Sequence, residues 1–211
     1  MVKVTLKDGS VIEYKKGITA KEVAESISAG LARVALAAEI NGEVKDLGYQ
    51  INEDCSLNIL TFDSEGGREA YRHTSSHILA QAVKRLYPDA KLAIGPAIDN
   101  GFYYDFDVDK PFTTEDLEKI ENEMQKIIKE DLKLERFTLP RDEAIKLMEE
   151  KGEKYKVELI NDLPEGETIS FYKQGEFVDL CAGPHVESTG KVKAYKLLSV
   201  AGAYWRGSEK N

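Results

Sequence analysis

The chain is short of several things. Its 211 residues include three histidines, two cysteines and one tryptophan. Two cysteines without a framework pattern provide no disulfide scaffold and point to a reducing compartment. No apolar run approaches the ~18–20 residues needed to cross a bilayer. The opening MVKVTLKDGS lacks the apolar core of a secretory signal. No internal repeat or low-complexity tract is present. The expectation is a soluble, cytoplasmic protein with no membrane partner. Positive charge is also in deficit: 29 Lys and Arg face 38 Asp and Glu, a net charge of −9. That speaks against a broad nucleic-acid surface, because phosphate contacts want basic side chains. It leaves room for a local patch.

What is present suffices for a globular core: 42% of residues are hydrophobic, in a length that fits one large or two small domains. The first 62 residues read as a small unit. VKVTL and VIEYK flank KDGS, where Asp8-Gly9 is a hairpin signal. Thr19 is placed to cap a helix, with Glu22 three residues on to close a capping box, and Ile18 and Val23 fit the hydrophobic staple. Asn41-Gly42 marks a second hairpin and CSLNILTF a last strand, with Cys55 as a packing residue. This order predicts a β-grasp sheet wrapped on one helix.

DSEGG (63–67) reads as a linker, and a helix is expected from about Arg68 to Leu86, where Pro88 stops it. A second helix is predicted over 114–131, capped by Thr113 and Asp116, and a third after Pro140, ending near Gly152. Turns and a hairpin are expected in GPAIDNGFYYDFDVD. KVELI, TISFYK, EFVDL and KVKAYKLLSVAGAYW read as strands, with a hairpin at Gly175. The fold class is therefore α+β. The β-grasp domain is followed by an α+β domain with a mostly antiparallel sheet packed on helices.

All three histidines fall in two pentapeptides, HTSSH (73–77) and CAGPH (181–185). His73 and His77, four apart, share one face of a helix. Cys181 and His185 are also four apart, across a Gly183-Pro184 turn. This supply of ligand-type side chains suggests one composite site. Three chemistries fit. The residues could be satisfied core groups. His73, His77, Cys181 and His185 could bind zinc tetrahedrally. Or a metal-free site could use an imidazole to take a proton from water.

His-x-x-x-His followed by Cys-x-Gly-Pro-His resembles the amino-acid editing domain of the threonyl-tRNA synthetases and the related alanyl-tRNA editing proteins. AIGPAIDNGFYYDFD (93–107) and AGAYWRG (201–207) resemble the same domain, and the β-grasp unit resembles the TGS domain in front of it. The resemblance implies a TGS domain at 1–62 and an editing domain at 63–211. Members of the family continue into a class II catalytic core with ATP-binding arginines and its own zinc site, then an anticodon-binding domain. This sequence ends at GSEKN and so resembles an N-terminal fragment. ATP, catalytic zinc, ligase activity and the full-length dimer contact are expected only of the absent core.

The resemblance implies hydrolysis of mischarged seryl-tRNA(Thr) at the tRNA 3′ end, without a required metal. It places His73, Lys156, Cys181 and His185 in the catalytic group and His77, Tyr104 and Asp179 around the substrate. His73 is the first choice for the water's proton acceptor, with Lys156 as helper. The Asp179 carboxylate suits the serine ammonium. The Lys156 ammonium suits developing negative charge. Tyr104 suits stacking on adenine or a bond to the substrate. Lys191, Lys193 and Lys196 form a candidate phosphate strip. The alternatives are a non-catalytic tRNA- or ligand-binding module and a zinc-structural domain of the same family.

Overall fold

The computed structural model describes residues 1–208. The expected second domain runs on to residue 211, and its last three residues lie outside the described residues. The chain opens with β1 (Val2–Leu6) and β2 (Val11–Tyr14), an antiparallel hairpin turned at Gly9, where φ is +87°. β3 (Ile18–Thr19) leads into α1 (Ala20–Ile27) and α2 (Ala29–Val34). β4 (Ala37–Ile40) and β5 (Glu43–Lys45) form the second hairpin, with Asn41 and Gly42 both at positive φ, as a two-residue type I′ turn demands. β6 (Gln50–Ile51) pairs with β3, and β7 (Cys55–Leu60) closes the unit.

The sheet order is β2-β1-β7-β4-β5, with β1 and β7 parallel. Val4, Leu57 and Ile40 meet Ala20 and Val23 of α1 in its core, with Cys55 packed at the edge. This is the β-grasp arrangement expected. Only half of the expected capping box forms. Thr19 accepts the Glu22 N–H at 3.1 Å, but the Glu22 carboxylate takes the Thr19 hydroxyl instead of its backbone N–H.

Residues 63–67 are not a linker. Ser64 caps α3 (Glu65–Leu86), so both glycines lie in its first turn. A Cβ on Gly67 would stand 1.9 Å from the Thr61 carbonyl oxygen, so this glycine permits close approach of backbone to backbone. The helix is docked on the first unit through Leu36, Ala37, Leu60, Ala70 and Val186.

Beyond α3, β8 (Lys91–Leu92) pairs with β11 (Phe106–Asp107), and β9 (Ala97–Ile98) with β10 (Gly101–Phe102). α4 (Thr114–Glu130) packs on α3. Its capping box is complete, with Thr113 accepting the Asp116 N–H and Asp116 accepting the Thr113 N–H. β12 (Glu135–Leu139), β13 (Ile169–Gln174) and β14 (Phe177–Leu180) form an antiparallel sheet. Behind it pack α5 (Arg141–Glu150) and α6 (Lys154–Asp162) through Ala144, Met148, Ile160 and Phe171. The fold is α+β.

Two expected strands are absent. KVELI lies inside α6, where Lys156 and Ile160, four apart, are both buried; five residues mixing charged and apolar side chains are too few to distinguish the two periods. Residues 192–204 form no strand either. There the Tyr195 hydroxyl bonds the Glu121 carbonyl and the Leu197 N–H bonds the Glu121 carboxylate, so polar groups go to α4. At the end of this run the Trp205 ring tilts against Tyr155 at 4.8 Å and its indole N–H donates to Glu158. No helix among the described residues is long and apolar enough to cross a membrane.

Candidate active site

α3 carries polar residues into a buried setting by satisfying them on its own backbone. The Thr74, Ser75 and Ser76 hydroxyls donate to the carbonyls of Ala70, Tyr71 and His73. His77 is buried and His73 half-buried on the same side. The second motif leaves β14 as a tight turn, with Gly183 at φ +75° and a cis Gly183-Pro184 bond. A Cβ at Gly183 would lie 2.2 Å from the Tyr172 hydroxyl, so the turn reaches its position only with glycine there.

The two motifs meet. Cys181 Sγ lies 3.4 Å from His73 Nε2 and 3.2 Å from His185 Nε2, and accepts the Gly183 N–H. The His185 ring stacks on His73 at 4.2 Å and meets His77 at the same distance. Thr74 joins helix to turn: its Oγ1 pairs with His185 Nδ1 at 2.9 Å and accepts the Val186 N–H.

Beside the histidines is a buried charge network. Asp179 accepts the Tyr104 hydroxyl at 2.6 Å and lies 3.7 Å from His77 Nε2. Lys156 Nζ is 3.0 Å from Asp179 Oδ1, close enough for an ion pair but off the hydrogen-bond direction, so that oxygen has no hydrogen-bond partner. Tyr104 does not offer a stacking face as expected. Its ring lies on Phe106 at 4.9 Å, the Lys156 ammonium stands 5.3 Å from its centroid, and its hydroxyl is committed to Asp179.

Sequence reasoning missed Asp46. From the loop after β5, its Oδ1 accepts the His185 backbone N–H at 2.7 Å and its Oδ2 accepts the Tyr172 hydroxyl at 2.5 Å. No motif marks it; only the fold brings it to a turn 139 residues away.

Burial decides the protonation states. It drives His77 and His185 well below the ordinary imidazole range, and the neighbouring imidazoles push the same way. His73 is lowered for the same reason, opposed by a backbone hydrogen bond at Pro184 and by Asp179. All three rings are thus neutral near pH 7. Burial raises Cys181 to about 12, so it stays a thiol and is poorly suited to act as a nucleophile.

A TGS domain model matches residues 2–61, and a model described as the threonyl and alanyl tRNA synthetase second additional domain matches residues 169–211. All 211 residues align at 83% identity with the threonine–tRNA ligase of Acetivibrio thermocellus and at 69% with that of Clostridium tetani. The chain is similar along its whole length to part of these threonine–tRNA ligases. It spans 33% of the length of each of these two relatives. The HTSSH and CAGPH motifs therefore lie in a segment that aligns throughout with these relatives.

The donor atoms of His73, His77, Cys181 and His185 lie within 4.8 Å of one another, a set that could hold a metal ion. A tetrahedral zinc with bonds of ~2.0–2.3 Å sets its donors roughly 3.3–3.6 Å apart. The Cys181–His73 distance of 3.4 Å falls in that range, the Cys181–His185 distance of 3.2 Å is just short of it, and His77 Nδ1 is a buried nitrogen with no hydrogen-bond partner. The residues therefore fit an ion, provided the thiol gives up its proton. A groove of about 320 Å³ lined by Gln81, Lys84, Arg85 and Glu153 also takes in Phe177, whose ring meets the His77 edge; its charges pair internally as Lys84–Glu153 and Arg85–Glu176. The expected lysine strip is partly neutralised: Lys191 pairs with Glu187, and Lys196 with Glu121.

Proposed function

We propose that residues 63–211 form an editing domain that hydrolyses the ester of seryl-tRNA(Thr), in the cytoplasm, as part of a threonine–tRNA ligase. The carrying observation is the convergence of HTSSH and CAGPH on one cluster beside the Asp179–Lys156 pair. Serine lacks one methyl of threonine, and a synthetic pocket gains only ~1–3 kcal/mol from such a group, so a second hydrolytic check is needed. His73, the most exposed of the three imidazoles and neutral, takes a proton from water as it attacks the ester carbonyl. Lys156 faces the negative charge that develops on the carbonyl oxygen. The imidazolium returns the proton to the departing ribose hydroxyl. Asp179 receives the serine ammonium, His77 and Tyr104 hold Asp179 in place, and Cys181 and His185 keep His73 oriented. An ion, if bound, would be held by His73, His77, Cys181 and His185 and would supply a Lewis acid.

The test incubates the chain with seryl- and threonyl-tRNA(Thr), with and without a chelator. The serine ester should be lost faster than in buffer and the threonine ester should not, with no effect of the chelator. His73→Ala should lose about 10²–10⁴ of the rate. Serine-ester loss no faster than in buffer, at saturating tRNA, overturns the reading and favours a binding module. A rate abolished by the chelator favours the metal site.

A further inference from the structure

Asp46 is the place where the N-terminal unit enters the site. Its carboxylate bridges two parts of the second unit, the His185 backbone N–H at 2.7 Å and the Tyr172 hydroxyl at 2.5 Å. Tyr172 in turn packs against the His185 ring at 4.4 Å, and its hydroxyl fills the space that Gly183 leaves open. Both bonds therefore act on the segment that sets Cys181 and His185 against His73. Other contacts fix the unit that carries Asp46: Lys21 pairs with Glu187 at 2.7 Å, and Lys191 donates to the Arg33 carbonyl.

We propose that Asp46 is a positioning residue for the editing reaction, so that the TGS unit completes the hydrolytic site by fixing the CAGPH turn. The inference rests on the editing reading above. Asp46 touches no reacting atom. It sets the ring of His185, on which His73 stacks, and a displacement of about 1 Å in such a group can cost ~100-fold in rate.

The experiment compares the intact chain with Asp46→Ala, Asp46→Asn and Tyr172→Phe. Two readouts are taken: single-turnover hydrolysis of seryl-tRNA(Thr) over a range of enzyme concentrations, and imidazole ¹H–¹⁵N correlation spectra, which contain only three histidines. The alanine variant should lower the maximal rate at least tenfold and change the half-saturating concentration less than threefold, with the His185 and His73 signals displaced. Asparagine keeps an oxygen for the His185 N–H and should recover part of the rate, which a loss of bulk stability would not predict. A folded alanine variant with wild-type imidazole signals overturns the proposal whatever its rate, and so does one with displaced signals and the wild-type rate. If the alanine variant does not fold, the other two decide: displaced His185 signals support the proposal and unchanged ones overturn it. If the intact chain hydrolyses neither ester, the editing reading falls. The spectra then judge separately whether Asp46 fixes the turn.

Discussion

At the scale of single residues, the cost of packing three imidazoles together falls on their protonation. His77 and His185 have folded pKa values well below the unfolded value of about 6.5. As pH falls through 6.5 the unfolded chain binds protons that the folded chain refuses. Their contribution is therefore complete above pH 6.5 and is lost below it, by about 1.4 kcal/mol per pH unit for each histidine once well below that value. Thermal or urea melts at pH 7.5 and 5.5 should show this loss, and His77→Gln should reduce the slope. These residues were legible beforehand because they are few and chemically distinctive. Asp46 was not: it is one of 38 acidic residues, and nothing local separates it from a solvated carboxylate. Tyr104 could be named from the sequence as a candidate but not as a buried partner of Asp179, because an aromatic ring reads the same in a core or on a platform.

At the scale of elements, the clearest hairpins and caps were readable because their signals are short-range. Asn41-Gly42 and the Thr113–Asp116 box are satisfied within four residues. α6 and residues 192–204 were misread because their structure depends on what they lie against. The start of α3 was misread for a related reason, since adjacent glycines look flexible until the partner surface is seen. Gly67→Ala should therefore destabilise the protein by about 1–3 kcal/mol in urea melts, through the clash with the Thr61 carbonyl. At a flexible position the same change would be neutral, and in a free helix it would gain up to ~1 kcal/mol. Thr113→Ala removes the hydroxyl that accepts the Asp116 N–H, leaves the backbone half of the α4 box, and should cost about 1 kcal/mol.

At the scale of the whole molecule, the two units share an apolar contact and several polar ones. Leu60, on the last strand of the first sheet, is buried against Ala70 of α3 and Val186 beyond the turn. The chain should unfold in one calorimetric transition, with calorimetric and van't Hoff enthalpies in agreement. Leu60→Ala should move that whole transition down, by ~2–5 kcal/mol, without splitting it. Two resolved transitions would mean that the units are energetically independent.

The perch of Trp205 has a use of its own. The sole indole in the chain leans on Tyr155, whose neighbour in sequence, Lys156, stands against Asp179. If the proposed serine ammonium displaces Lys156 from that carboxylate, the helix turn beneath the indole should shift with it. On that reading, Trp205 emission intensity should change when seryl-adenosine is added, and unchanged emission at saturation would argue against the coupling.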